Sequence, residues 1–207
     1  MAEFREMRRL KQKLSEEECI ELLISGRRGV LAVSGDDGYP YALPINFLYD
    51  EGNRKIYFHG AKAGHKIDAL RRNNKVSFCI YDEGEYVEGD WAPYVKSVII
   101  FGRIRLIEDP GETVERVREL GLKYYPAPEA VEEEILKSAE RVQMLELSID
   151  HMSGKRVHEM CIRDRFRADD GNRTRDLRTT NATHYRLCYI SFVPNRDCSQ
   201  SSFGRIP

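Results

Sequence analysis

The chain has 207 residues, and 33 Lys and Arg residues against 34 Asp and Glu residues give a formal net charge of −1. This balance does not support a nucleic-acid partner, and no apolar run approaches the length of a membrane span. The charged N-terminus lacks the apolar segment of a signal peptide, and the five cysteines show neither CxxC pairing nor zinc-ligand spacing. We therefore expect a cytoplasmic protein with free thiols and one domain of ordinary size.

The composition of the chain changes near residue 159. Residues 160–207 contain nine Arg, no Lys, five Asp and no Glu, whereas Lys and Glu are frequent before that point. Residues 159–165, EMCIRDR, also match one reading frame of a transposon-type sequencing-adapter end. We expect a domain over 1–158 and a non-native, disordered tail over 159–207.

The elements before residue 159 alternate between helix and strand patterns. A capping box at Ser15 opens the first helix, and Asp37-Gly38 is a strong hairpin-turn signal. Pro40 and Pro44 remove two ladder donors, which predicts an edge or irregular strand. Gly102, inside a strand, predicts a bend or bulge. The predicted strands are 29–34, 39–49, 55–59, 75–81, 96–107 and 143–149, and the predicted helices are 15–25, a short one after 64, 112–124 and about 129–139.

These elements predict six strands and about four helices joined by hairpin-type connections. Repeated strand–helix–strand units are not apparent in the sequence. The pattern therefore favours an antiparallel barrel with helices at its margins.

The stretch 55–70, KIYFHGAKAGHKIDAL, is the strongest candidate for a ligand site. A strand leads through small residues into a short amphipathic helix, whose first N–H groups lack intrahelical partners and whose dipole favours an anion. Lys62, His65 and Lys66 add positive charge there, which predicts a phosphate site. The alternative is a solvated strand–turn–helix with scattered basic residues.

Other catalytic patterns are absent from the sequence. There is no P-loop, no GxGxxG after a strand, no GxSxG and no HExxH. The five histidines show no ligand spacing, so we expect no metal site. Cys79 lies on an apolar strand and is expected in the core. His59, at a strand end beside the predicted phosphate site, is either functional or an ordinary surface histidine.

Several short segments occur in order along the chain: DGYPY at 37–41, PINF at 44–47, YFHGA at 57–61, GxKID at 64–68, KVxF at 75–78, SVIxFG at 97–102 and SGK at 153–155. Their order and spacing resemble the pyridoxamine 5′-phosphate oxidase-related flavoproteins, and most closely their nitroimidazole-resistance (Nim-type) branch. This resemblance covers about residues 7–158 and implies a mainly β, six-stranded antiparallel split β-barrel with flanking helices. It also implies a homodimer with FMN at the subunit interface.

The resemblance implies roles for particular residues. His65 and Lys66 match the basic pair that holds the FMN phosphate, while Phe58 and His59 fall where the family's next strand meets the flavin. Ser97 matches a polar position that reaches the cofactor from one subunit towards the other. The strand expected to line the isoalloxazine ring, partly through backbone groups, consists of Tyr41, Ala42, Leu43 and Pro44.

The implied activity is electron transfer from a reduced flavin to a small-molecule acceptor such as a nitroaromatic compound. His59 is the candidate catalytic residue, and Trp91 and Tyr94 are candidates to cover the flavin face. Tyr41 stands where oxidases of the wider family carry a phosphate-binding arginine, which argues against pyridoxamine-phosphate oxidation. Residues 163–166, RDRF, superficially resemble the basic C-terminal end of those oxidases. The alternatives are a flavin- or haem-binding module without turnover, and the deazaflavin F420 in place of FMN.

Overall fold

The computed structural model describes residues 4–90, 92–125 and 127–158. Trp91 and the tail expected over 159–207 lie outside the described residues. The strands are β1 (Arg28–Ser34), β2 (Pro40–Asn46), β3 (Leu48–Asp50), β4 (Lys55–Ala61), β5 (Lys75–Tyr81), β6 (Tyr94–Ile107) and β7 (Val142–His158). The α-helices are α1 (Glu16–Ser25), α2 (His65–Arg72), α3 (Pro110–Tyr124) and α4 (Pro128–Ser138).

The strands form one antiparallel sheet in the order β2-β1-β5-β6-β7-β4-β3. The sheet curls, so that β2 at one edge approaches β4, the strand next to the opposite edge. The result is a half-barrel with helices on its margins, which confirms the expected split-barrel fold. β2 lies at an edge of the sheet, as its two prolines predict.

The prediction of six strands is wrong by one, because the segment expected as one strand over 39–49 is two strands. Phe47 separates β2 from β3. Its N–H donates to the Tyr124 hydroxyl at 2.9 Å, and that hydroxyl also lies 2.9 Å from the Phe47 carbonyl oxygen. The Tyr124 hydroxyl of α3 therefore accepts the Phe47 N–H, and its one hydrogen lies between the carbonyl oxygens of Phe47 and Arg27, where the ladder would otherwise continue.

The last strand extends nine residues further than predicted. β7 pairs with the whole length of β6, from Ile107 opposite Met144 to Tyr94 opposite His158. The register shifts between Phe101 and Gly102, so the predicted irregularity at Gly102 is confirmed. A Cβ at Gly102 would lie 2.1 Å from the backbone oxygen of Ser148, which only glycine permits.

Two hydrophobic cores lie on opposite faces of β4. Ile56 and Phe58 point into the larger core, where α1 and α2 also bury their apolar residues. Tyr57 points the other way, towards a smaller core that α3 covers. Each fully buried side chain of this size contributes about 1.5–3 kcal/mol to stability. Alternation along β4 therefore gives the strand two different environments.

The capping box at Ser15 is present, with the Ser15 hydroxyl accepting from the Glu18 N–H and the Glu18 carboxylate accepting from the Ser15 N–H. Among the described residues, the helices are too short or too polar to cross a membrane.

Candidate functional site

The turn from β4 to α2 has the geometry of an uncapped helix start. Gly64 has φ +117°, in the region that favours glycine, and no side chain caps α2. The carbonyl of Gly64 accepts from the N–H groups of Ile67 and Asp68 at 2.9 and 3.1 Å. The N–H groups of the first two helical residues cannot bond within the helix, so they remain available to an anion.

Lys66 lies directly over the end of β4. A Cβ at Gly60 would come within 2.5 Å of the Lys66 Nζ atom, so the absence of a side chain there makes room for the ammonium. Partial burial lowers the pKa of Lys66. Among the described residues, no carboxylate lies within ion-pair distance of Lys66. This half-buried cation without a counter-charge is suited to binding an anion.

His65 is engaged differently from Lys66. Its ring stacks on Tyr41 at 4.2 Å between centroids, with 15° between planes, and its Nε2 lies 3.3 Å from Asp36 Oδ2. Arg72 forms an ion pair with the same Asp36 carboxylate at 2.5 Å. The structure therefore brings His65 and Tyr41 together, and Asp36, which the sequence analysis missed, holds His65. The hairpin-turn pattern around Asp36 gave no sign of this role.

The open edge of β2 exposes backbone hydrogen-bonding groups. The N–H of Gly35 donates to the carbonyl of Tyr39 at 2.9 Å, and hydrogen-bonded pairs alternate along an antiparallel ladder. From this register Tyr41 and Leu43 bond to β1, whereas Ala42 directs both backbone groups to the open edge. Pro44 offers only its carbonyl. This edge can therefore bind the polar rim of a planar ligand through the backbone.

Phe58 and His59 point to opposite faces of β4. Phe58 is fully buried and meets Phe78 edge-to-face at 5.0 Å, so its side chain belongs to the core and cannot touch a surface ligand. His59 faces a cavity of about 620 Å³ bordered by α3 and α4. Desolvation of the ring, and secondarily the charge of Lys66, lower the pKa of His59, which favours the neutral imidazole.

Ser97 lies three strands from the β2 edge and far from the β4–α2 turn of its own protomer. It pairs with Tyr81 on β5 and Lys155 on β7. Ten residues of β6 separate it from Ile107, where the sheet reaches the α2 end of β4, a span of about 30 Å. Tyr94, beyond Ser97, packs its ring on His158 at 4.5 Å and under the Arg156 guanidinium at 4.6 Å.

The described residues contain no cluster of three His, Cys, Asp or Glu side chains arranged to hold a metal ion. Cys79 is half-buried, and burial raises the pKa of its thiol. A protonated thiol is a poor nucleophile. The basic turn, the β2 edge and the cavity beside His59 are therefore candidate ligand-binding features.

The curled antiparallel sheet with flanking helices defines the class of protein: a mainly β split barrel. The chain belongs to the pyridoxamine 5′-phosphate oxidase family, because the sequence profile of that family matches residues 15–156. No match was found among curated proteins.

Three solved structures illustrate the shared fold. A protein from Bacteroides thetaiotaomicron, named a "putative 5-nitroimidazole antibiotic resistance protein", is 24% identical with a TM-score of 0.58, covering 70% of this chain and 86% of that chain. The conserved hypothetical protein Rv2991 from Mycobacterium tuberculosis is 20% identical with a TM-score of 0.62, covering 72% and 90%. A FAD and heme binding protein from Mycobacterium smegmatis is 19% identical with a TM-score of 0.57, covering 84% and 92%. At these identities the likeness concerns the fold.

Proposed function

We propose that this protein is a cytoplasmic, FMN-dependent oxidoreductase of the Nim-like type, which reduces nitroaromatic or other small acceptors. The observation that carries the proposal is Lys66, a half-buried ammonium without a carboxylate partner at the uncapped start of α2. A flavin phosphate supplies the missing counter-charge. The neighbouring open edge of β2 supplies backbone groups for the ring.

Each candidate residue has a defined task in this proposal. Lys66 and the first N–H groups of α2 bind the phosphate through charge-assisted hydrogen bonds. His65 holds Tyr41 against the start of the helix by ring stacking. Ala42 and Pro44 offer edge backbone groups to the isoalloxazine ring. The flavin carries the redox chemistry, while the protein binds and positions it.

In this proposal, His59 contacts the small-molecule electron acceptor. Its lowered pKa favours the neutral imidazole, which has no hydrogen-bond partner among the described residues. A neutral imidazole can donate a hydrogen bond to an acceptor or pass it a proton. Because His59 and Lys66 lie on opposite faces of β4, the two residues contact different parts of the bound molecules.

Tyr41 favours nitro reduction over pyridoxamine-phosphate oxidation. The residue replaces a phosphate-binding arginine of the wider family, so a phosphorylated substrate has one cation fewer to bind. The similarity in fold to the B. thetaiotaomicron protein, whose name refers to 5-nitroimidazole antibiotic resistance, agrees with this choice.

A homodimer would complete the site in this proposal. Ser97 cannot reach the β2 edge of its own protomer, but a second copy could bring it there. Ile99 and Phe101, on the same exposed face of β6, are 37% and 40% exposed and form an apolar surface suited to a second copy. Phe101→Glu should convert the dimer to a monomer in sedimentation experiments, whereas Leu136→Glu on exposed α4 should not. A parent protein that sediments as a monomer at all concentrations would contradict the dimer.

The cofactor and the activity can be tested on the purified protein. We expect a yellow protein that releases FMN, identified by mass spectrometry, and that oxidises a reductant when a nitroimidazole is supplied. Release of F420 would replace FMN as the cofactor. A colourless protein without measurable FMN affinity would contradict every flavin-based function.

The second candidate function is binding of flavin or haem without turnover. This second function is supported by the similarity in fold to the FAD and heme binding protein of M. smegmatis. Bound flavin with no turnover of any acceptor would support the binding module. A Soret band in the absorption spectrum would identify haem.

A further inference from the structure

The cavity beside His59 has features that the phosphate site does not share. Its volume of about 620 Å³ lies within the usual range for small-molecule sites. Much of its wall is apolar, and Leu120, Val131 and Ile135 are almost completely buried there. Of the described residues that line it, none is Lys or Arg, and Glu134 is the only acidic residue. The cavity therefore suits an apolar ligand and disfavours an anionic one.

Two polar side chains in the cavity lack partners. The Asn46 amide and the His59 imidazole form no hydrogen bond with any described residue. In contrast, Ser138 donates its hydroxyl hydrogen to the Glu134 carboxylate. A hydrogen bond from a ligand contributes most free energy when it satisfies a polar group beside an apolar wall. Asn46 and the neutral His59 can each donate one hydrogen bond to a carbonyl or nitro oxygen.

The cavity adjoins the proposed flavin edge. Asn46 ends β2, and Tyr41, stacked on His65, lies five residues earlier on the same strand. The distance between these residues along β2 is about 16 Å. The open edge therefore runs from the basic start of α2 at one end to the cavity at the other. A ligand in the cavity would lie next to the Asn46 end of this edge, and through His59, which adjoins Gly60 and senses the Lys66 charge, the cavity also approaches the phosphate site.

We infer that this cavity binds the electron acceptor, and that the acceptor is an uncharged, planar, largely apolar molecule with a nitro or carbonyl oxygen facing His59 and Asn46. The assignment of the ligand as an acceptor rests on the proposed function, whereas the cavity's preference for uncharged molecules rests on its lining. Phosphate esters and carboxylates are disfavoured by the Glu134 charge and by the absence of a cation in the described lining.

Two probes of nearly equal size test this selectivity. The full chain is titrated by calorimetry with 4-nitrobenzamide and with 4-nitrobenzoate, which differ chiefly in charge. We expect the amide to bind at least about tenfold more tightly, because the carboxylate faces Glu134. Glu134→Gln should reduce this preference. Equal affinities for the two probes, or no binding of either, would overturn the inference.

A cavity-filling variant tests the location. Ala139→Phe puts an aromatic ring into the cavity and should weaken binding of 4-nitrobenzamide at least about tenfold. Leu136→Phe, on the exposed side of α4, is the matched control and should bind as the parent does. Unchanged binding by Ala139→Phe would overturn the location.

Asn46→Leu provides a second, nearly isosteric variant if Ala139→Phe fails to fold. It should also weaken binding of the amide, and unchanged affinity would remove Asn46 from the site. Flavin content of every variant separates this inference from the proposed function. A parent without affinity for FMN would contradict the proposed function, while amide binding that Ala139→Phe abolishes would still support the cavity site. Flavin retained by all variants, with amide binding insensitive to Ala139→Phe, would contradict only the cavity site.

Discussion

Two lysines, one at the start of α2 and one near the end of α3, show what makes a buried cation available to a ligand. Burial lowers the pKa of both, for Lys123 to about 8. The Lys123 Nζ is completely covered, lies 4.3 Å from the centre of the Phe47 ring and has no hydrogen-bond acceptor. Lys66 remains partly exposed beside free helix N–H groups. Burial alone therefore does not make a binding site; an open side and additional donors are needed.

The surroundings of the two cations explain this difference. Two small residues, Ala63 and Gly64, precede the His65–Lys66 pair, and Lys66 faces Gly60, so little bulk closes the site. Lys123 lies in the last turn of α3, where the helix dipole favours a cation, and Tyr124 beside it ties the helix end to Phe47. The open surroundings of Lys66 can therefore bind an anion, whereas the closed surroundings of Lys123 leave no room for one.

Removal of the Lys66 charge should have the largest effect on ligand binding. Lys66→Ala loses a charge-assisted phosphate contact worth about 1.5–3 kcal/mol, so the Kd for FMN should rise roughly 10- to 100-fold. Fluorescence titration of the apoprotein with FMN measures the change. Arg71→Ala, on the exposed side of the same helix, is the control and should bind FMN as the parent does. Equal affinity in the Lys66 variant and the parent would show that the phosphate lies elsewhere.

Removal of the Lys123 charge should instead change stability. Lys123→Met removes a buried ammonium that no acceptor satisfies, and the free energy of unfolding at pH 7 should rise by about 2 kcal/mol after loss of the contact with Phe47. Denaturant unfolding measures this gain, and FMN affinity should not change. Lys137→Met, an exposed lysine paired with Glu133, should alter stability little.

The pH dependence of Lys123→Met gives an independent check. The pKa of Lys123 is about 8 in the folded protein against 10.5 for an ordinary lysine. Between these values the unfolded chain holds one more proton than the folded one, so the parent becomes more stable as pH rises through this window. Lys123→Met should lack that rise. A variant less stable than the parent at pH 7 would mean that the ammonium has a stabilising partner.

Much of the fold was predictable because its signals are local. The capping box at Ser15, the Asp37-Gly38 turn and the prolines of β2 each act through neighbouring backbone groups. The break at Phe47 was not predictable, because it depends on a hydroxyl 77 residues away in sequence. The extension of β7 was also missed, since Asp150–His158 is polar and gains its strand conformation from pairing with β6.

The candidate site likewise has a local part that the sequence predicts and a long-range part that it does not predict. The basic turn around Lys66 is contiguous in sequence, so spacing and helix-start chemistry predict it. The cavity combines Asn46 and His59 with residues of α3 and α4, and no sequence period links them. Phe58 and His59 are adjacent and were expected to meet the flavin together, yet alternation along β4 sends their side chains to different environments.

A smaller perturbation of Lys66 tests whether its position, as well as its charge, matters. The Cβ of Gly60→Ala would lie 2.5 Å from the Lys66 Nζ and 3.2 Å from its Cε, so the end of this flexible side chain must shift. We expect little change in stability and a Kd for FMN that rises roughly two- to fivefold, because the charge is kept but displaced. Gly52→Ala, in the β3–β4 turn, is the control. The double variant Gly60→Ala/Lys66→Ala should bind FMN no more weakly than Lys66→Ala alone, since the added methyl group acts only through Lys66. Additive losses would show instead that Gly60 itself touches the ligand.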